Sequence, residues 1–244
     1  MGYENDAESS KGRNLMNTTR KRIALIVPSS NTVMENDLHS ALSRSRFTVH
    51  TDRMFLVETT REAETAMIEK FAKPAAKDLG TVNPDLIVFG CTSAGALFGL
   101  DYDAKFCDTL GELAGCPALG VVNAASQALA AAAARKIAVI TPYNEDLTAA
   151  VAKALGSEGR EVVAAHGMGI TVNVELSDPE PAQIVAFARE KLRGQSFDTL
   201  FVSCTNFRAL EAKSELEKVF GKRVITSNSA VVEAIEKRFA LELA

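Results

Sequence analysis

The sequence predicts an α/β protein whose two halves each build a mainly parallel sheet. Three observations lead to this fold class: short runs rich in Ile, Val and Leu, longer helix-like stretches between them, and a repeat within the chain. Runs that are apolar on both faces are typical of parallel strands covered by helices. Their regular alternation with helices indicates an α/β fold.

The candidate elements alternate from residue 22 onward. The predicted strands are 23–27, 47–50, 86–89, 118–122, 137–140, 162–165, 200–202 and 224–226. The predicted helices are 34–42, 62–79, 104–113, 124–134, 145–155, 181–192, 210–219 and 230–239. The mixed charges of the second helix indicate a solvated face.

Two separate segments of the chain repeat at nearly the same spacing. Residues 21–28 (KRIALIVP) are echoed by 135–142 (RKIAVITP), and residues 84–92 (PDLIVFGCT) by 197–205 (FDTLFVSCT). We therefore predict a first α/β half over 21–122, completed by about 225–244, and a second half over 123–224. Residues 1–20 are polar and are expected to form a disordered arm or leader.

Composition excludes several classes of function. The 244 residues carry a net charge of −4, without the basic surface that nucleic-acid binding needs. No apolar run is long enough to cross a membrane and no secretion signal is evident, so we expect a cytoplasmic protein without a membrane partner. Four cysteines without a CxxC pair fit free thiols, and three histidines lack metal-ligand spacing.

Both copies of the second repeat place a Cys-Thr pair where a strand ends. Ligands of open α/β sheets bind outside these carboxyl ends, so Cys91 and Cys204 would approach a common cleft if the halves face one another. A lone cysteine here would be a buried apolar residue. The duplicated setting instead favours a catalytic role for both cysteines. A thiolate is a strong nucleophile, and a helix N-terminus can lower the pKa of the thiol.

Polar turns beside these strand ends offer hydrogen-bond donors to an anion. The candidate binding residues are Ser29, Ser30, Asn31, Thr92, Ser93, Thr205 and Asn206. A side chain of the first turn could instead cap the helix at Met34. We favour a ligand role for Asn31 because the turn has more donors than one cap requires. Tyr143, in the matching turn of the second half, either donates to a carboxylate or enolate oxygen or packs at a loop.

The turns 28–32, 90–93 and 203–206 resemble those of the aspartate/glutamate racemase superfamily. The likeness is greatest to its maleate isomerase and arylmalonate decarboxylase branch, which includes proteins of ectoine utilisation. It implies two Rossmann-like (flavodoxin-like) halves related by pseudo-twofold symmetry, with the site between them. It also implies catalysis without metal or other cofactor, a small carboxylate or dicarboxylate substrate, and a homodimer or larger homo-oligomer.

The resemblance implies a role for each matching residue. Cys91 would attack an alkene carbon and Cys204 would donate a proton, while Asn31, Tyr143 and Asn173 would hold substrate carboxylates. Arylmalonate decarboxylases have glycine at the first cysteine, so the presence of Cys91 favours cis–trans isomerisation of a dicarboxylate such as maleate. Two alternatives stay open: a two-cysteine racemase or epimerase of an amino or N-acyl amino acid, and a non-catalytic module that binds a small acid.

Overall fold

The computed structural model describes residues 20–240, which contain two four-stranded parallel sheets. The strands are β1 (Lys21–Pro28), β2 (Phe47–Met54), β3 (Leu86–Phe89), β4 (Ala118–Gly120), β5 (Lys136–Tyr143), β6 (Glu161–Ile170), β7 (Thr199–Val202) and β8 (Arg223–Thr226). The first sheet has the order β2-β1-β3-β4 and the second has the equivalent order β6-β5-β7-β8. The pairings between these eight strands of residues 20–240 are all parallel, which confirms the predicted fold class.

In the described part of the chain, ten α-helices connect and cover the strands. They are α1 (Met34–Ala41), α2 (Arg61–Met67), α3 (Lys73–Gly80), α4 (Thr92–Phe98), α5 (Leu100–Ala114), α6 (Val121–Ala131), α7 (Glu145–Gly156), α8 (Pro181–Lys191), α9 (Ala209–Phe220) and α10 (Ser227–Ala240). The predicted helix 62–79 is interrupted by a π-helical turn, Ile68–Ala72, between α2 and α3. Within residues 20–240, none of the helices combines the length and the apolar character that crossing a membrane requires.

The prediction differs from the structure at α4 and at the start of α6, each for an identifiable reason. Helix α4 was missed because its Thr-Ser-Ala-Gly start lacks an apolar period. The predicted strand 118–122 ends at Gly120, and Val121 and Val122 begin α6. An apolar run by itself does not separate a buried strand from the first turn of a buried helix.

The described residues form two hydrophobic clusters, of which the larger reaches through both halves. Residues of β1 such as Leu25 belong to the same buried cluster as Val139 of β5 and Val202 of β7. Helix α10 packs along α6 and also contacts α1. The division of the chain near residues 122 and 224 stays a prediction, and the predicted arm lies outside the described residues except for Arg20.

Candidate active site

Cys91 lies two residues after β3, immediately before α4. Its backbone is extended and its side chain is 2% exposed. Gly90 allows this approach because a Cβ there would lie 2.8 Å from the carbonyl oxygen of Ile26 and 2.9 Å from a methyl of Val27. The carboxyl end of β3 therefore passes close beside β1, with the cysteine directly after it.

Cys204 occupies the equivalent place two residues after β7. Its φ is +102°, a left-handed value that is rare and costly for a residue other than glycine. Two hydrogen bonds hold this conformation: the Cys204 N–H donates to Ser227 Oγ over 3.0 Å, and the Asn206 N–H donates to Cys204 Sγ over 3.2 Å. The thiol is therefore fixed by its surroundings, with 3% of the residue exposed.

Tyr143 connects the two thiols in one buried site. Its phenol donates a hydrogen bond to the Cys204 thiol. Burial raises the pKa of Tyr143 well above its usual value, and the nearby Cys204 and Cys91 raise it further. Because the pKa of this one phenol responds to both cysteines, both lie near Tyr143.

Both thiols are protonated at neutral pH. Burial is the main cause that raises the pKa of Cys204 to about 12, although the bond from Tyr143 lowers it. Burial also raises the pKa of Cys91 well above its usual value, and the carboxyl of Glu64 adds to the increase. Desolvation therefore outweighs the helix N-terminus that follows Cys91, and nucleophilic attack requires a group that removes the proton.

Asn31 combines the two roles that the sequence left as alternatives. Its Oδ1 accepts from the backbone N–H groups of Val33 and Met34, each over 3.0 Å, at the start of α1. Its Nδ2 donates across the interface to Thr205 Oγ1 over 3.1 Å. Thr205 in turn donates to the Gly90 carbonyl over 3.1 Å. This chain joins the Cys91 turn to the Cys204 turn.

A second chain of hydrogen bonds joins Asn206, Asn173 and Ser30. Asn206 Oδ1 accepts from the Thr32 N–H over 2.8 Å, and its Nδ2 donates to the Asn173 carbonyl over 2.6 Å. Asn173 Nδ2 donates to Ser30 Oγ over 2.7 Å. These amides lie at the interface of the halves, so a substrate role for them stays a prediction that is compatible with their position.

The remaining predicted binding residues also have partners. Ser29 Oγ accepts from the Leu56 N–H over 3.1 Å, which ties the β1 turn to the segment after β2. Thr92 Oγ1 donates to Ser227 Oγ over 3.1 Å. Ser227 therefore contacts the turn of one cysteine and the backbone of the other. Sequence reasoning missed Ser227, although it follows β8 directly and the strand-end rule would have found it.

Glu64 is the other functional candidate that the sequence did not reveal. It lies on α2, is 0% exposed, accepts a hydrogen bond from Ser93 Oγ and lies 3.4 Å from Cys91 Sγ through Oε2. Burial raises its pKa to about 7. The prediction of a solvated face is wrong at this residue. The spacing of residues could have revealed it: Glu64, Met67 and Ile68 lie on one face of the helix, and the two apolar residues mark that face as buried.

The assembled groups are two thiols, a phenol, a carboxyl and several amides. Across residues 20–240 no group of three or more His, Cys, Asp or Glu side chains is arranged to hold a metal ion. Thiols and a carboxyl in contact can transfer a proton, and a deprotonated thiol can add to an electrophilic carbon.

Comparisons with known proteins agree in fold and in family. The maleate isomerase of Pseudomonas putida strain KT2440 is 29% identical over 91% of this chain and 92% of its own length. The crystal structure of the maleate isomerase Iso from Pseudomonas putida S16 has a TM-score of 0.85 and 25% identity, covering 91% of this chain and 94% of that one.

A third comparison extends the agreement in fold. A mutant of the Nocardia farcinica maleate cis–trans isomerase with a covalently bound succinylcysteine intermediate has a TM-score of 0.82 at 23% identity, covering 91% of this chain and 94% of that one. The family model for arylmalonate decarboxylase matches residues 23–243, which is nearly the whole sequence. The chain therefore belongs to the arylmalonate decarboxylase family.

Proposed function

We propose that this protein is a cofactor-independent cis–trans isomerase that converts maleate, or a closely similar cis-dicarboxylate, into its trans isomer. The observation that carries the proposal is the pair of buried thiols, Cys91 and Cys204, which act on the same Tyr143 from the ends of two equivalent strands. The similarity to maleate isomerases over most of the chain supports the choice of substrate.

The first step is addition of Cys91 to the alkene. The sulfur gives up its proton to a neighbouring base of the site and forms a bond to one alkene carbon, and the π electrons move toward the other carbon and its carboxylate as an enediolate. Asn31, Tyr143 and Asn173 hold the carboxylates. Donors at positions where negative charge develops lower the barrier most effectively in a site that excludes water.

The second step uses the opposite thiol as an acid. Cys204 is protonated at neutral pH, so it can donate its proton to the carbanionic carbon and give a succinyl thioether. The former double bond is now single and rotates. Return of the proton to Cys204 and cleavage of the carbon–sulfur bond release the trans alkene. The succinylcysteine of the Nocardia farcinica protein is the type of adduct that this sequence of steps requires.

Proton NMR of the protein with maleate in D₂O tests this proposal. We expect a fumarate signal to grow with wild type and to be absent with Cys91→Ala and with Cys204→Ala. Cys107→Ala is the matched control, because Cys107 is also a buried free thiol but lies on α5 outside the site. Its fumarate signal should grow as in wild type. An unchanged maleate spectrum with wild type would contradict the proposed function.

One observation favours a second candidate, the two-cysteine racemase or epimerase of an amino or N-acyl amino acid. The Glu64 carboxyl beside Cys91 is an acceptor that complements a substrate ammonium or amide N–H. In that reaction one thiolate removes the α-proton and the opposite thiol returns a proton to the other face. Deuterium at the α-position of a chiral acid, without a thioether adduct, would separate this activity from isomerisation.

A further inference from the structure

We propose that Glu64 is the general base that accepts the proton of Cys91 when its sulfur attacks the substrate. This inference rests on the proposed function and assigns it a catalytic residue, since Glu64 touches the reacting sulfur. Three features carry it: the hydrogen bonds of the carboxyl, the helix that holds it, and the protonation of the groups around it.

The carboxyl of Glu64 is arranged as an acceptor. Cys91 Sγ donates to Oε2 over 3.4 Å and Ser93 Oγ donates to Oε1, while Sγ and Oγ lie 3.5 Å apart. All three side chains are buried. No salt bridge within residues 20–240 includes Glu64, so no cation fixes its charge. A carboxyl held by two weak acids, one of them the nucleophile, is positioned to receive a proton.

The fold holds this carboxyl on a rigid element. Thr60 Oγ1 accepts from the Ala63 N–H and caps α2, so the first turn that carries Glu64 is fixed. Met67 and Ile68 bury the same face of the helix, and α2 packs on α4, which begins directly after Cys91. The π-helical turn that follows is an uncommon feature that is frequent at functional sites.

The other groups that face Cys91 do not serve as a base at neutral pH. The titratable groups facing Glu64 and Cys91 are Tyr143 and Cys204. Burial raises the pKa of Cys204 to about 12 and the pKa of Tyr143 well above its usual value. The pKa of Glu64 is about 7. An acid–base catalyst works best when its pKa lies near the operating pH, and Glu64 alone among these residues meets that condition.

The proton transfer balances within the site. The Sγ–H bond breaks as the Sγ–carbon bond forms, the proton moves to Glu64 Oε2, and the alkene electron pair moves to the adjacent carbon. Glu64 becomes neutral at the moment when negative charge develops on the enediolate, so the site never holds both charges together. When the adduct collapses, the departing sulfur takes the proton back from Glu64.

The test compares wild type, Glu64→Gln and Asp103→Asn as full chains. Gln keeps the size of the side chain and can still accept from Ser93. Asp103 is the matched control because it is a second buried carboxyl of the first half, with a pKa raised to about 6 by burial, but its partner is Asn123. Two quantities are measured from about pH 5 to about pH 10: kcat/KM for maleate and the rate of Cys91 alkylation by iodoacetamide, followed by peptide mass spectrometry.

In wild type and Asp103→Asn, we expect both rates to rise with pH through about 7 and then level off. In Glu64→Gln that rise should move to the alkaline range of a buried thiol, and kcat/KM at neutral pH should fall about 100-fold or more. The second ionisation of maleate is common to all variants and cancels in the comparison. Glu64→Asp keeps a carboxyl but withdraws it by one methylene, so it should retain the neutral rise with a reduced rate.

The alkylation rate separates this inference from the proposed function, because it requires no turnover. Absence of fumarate with wild type would remove the isomerase proposal, and the pH profile of Cys91 would still decide the role of Glu64. Identical alkylation profiles in wild type and Glu64→Gln, whether both react or neither does, would overturn the assignment of Glu64 as the base.

Discussion

The side chains of Cys91, Cys204 and Tyr143 lie almost entirely out of solvent, and this decides their chemistry. Removal from water disfavours the charged form of each group, so the pKa of every one of them rises. Glu64 lies in the same buried site, and its pKa of about 7 is the lowest among these four groups. A buried carboxyl therefore sets the pH range in which the site can exchange a proton.

Glu64 also couples stability to pH. Its pKa is raised from 4.5 to about 7 on folding, so its contribution to stability is complete below about pH 4.5 and is lost as pH rises to about 7. The loss amounts to about 3 kcal/mol. In urea unfolding, the free energy of unfolding of Glu64→Gln minus that of wild type should therefore increase by about this amount over that interval.

Other buried carboxyls, such as Asp37 and Asp103, titrate in an overlapping range but are present in both proteins and cancel in the difference. Glu62→Gln is the matched control, because Glu62 is an exposed glutamate of the same helix. A difference between Glu64→Gln and wild type that does not change with pH would show that Glu64 is ionised to the same extent in the folded and unfolded chains.

Hydrogen bonds join the turns that follow the carboxyl ends of strands from both halves. The turn after β1 and the turn after β7 are joined by Asn31 and Thr205, which also reaches the turn after β3. Within residues 20–240 the two sheets share no strand pairing, and only the isolated bridge Glu58–Val172 joins segments outside them. The side-chain bonds therefore fix the turns that carry the two cysteines relative to one another.

Thr205→Val tests this link. Valine keeps the shape but leaves the buried Asn31 amide without an acceptor and the Gly90 carbonyl without this donor. We expect the free energy of unfolding to fall by about 1–3 kcal/mol and kcat to fall with it. A double-mutant cycle with Asn31→Ala should give a coupling energy of about 0.5 kcal/mol or more, measured by urea unfolding. Additive effects of the two substitutions would indicate that the bond contributes nothing to stability.

The described residues form two hydrophobic clusters, and the site draws on both: Tyr143 and Cys204 belong to the larger one and Cys91 to the smaller one. The larger cluster includes residues of β1, β5 and β7, so the two halves share most of their buried apolar surface, whereas the smaller cluster lies within the first half. Backbone hydrogen bonds also join segments of the two halves: the Thr59 N–H donates to the Thr171 carbonyl over 3.0 Å and the Asn173 N–H donates to the Val57 carbonyl over 2.9 Å.

Because the larger cluster is shared by both halves, we expect them to unfold in a single transition. Cys107 reports on the first half and Cys204 on the second, and both are buried free thiols. Their alkylation during urea denaturation, quantified on the separate peptides, should have the same midpoint as the change in far-ultraviolet circular dichroism. Two distinct midpoints would show that each half is an independent folding unit.

The sequence by itself determined the fold class and the two cysteines. Parallel strands buried on both faces leave an apolar pattern in the chain, and the repeat of 21–28 and 84–92 in the second half marked the strand ends at which α/β sheets generally bind ligands. The family resemblance added Asn173, which lies next to Asn206 in the structure. These features are readable because local pattern and chain order set them.

Only the tertiary structure decided which groups touch the cysteines and in which protonation state. Glu64 and Cys91 are 27 residues apart, and the thiol bond arises from the packing of α2 on α4. The charge pattern of residues 62–77 is the same whether Glu64 faces solvent or the core. The sequence therefore does not distinguish the two arrangements. A pKa depends on desolvation and on neighbours from distant segments, so it becomes defined only when those segments are packed together.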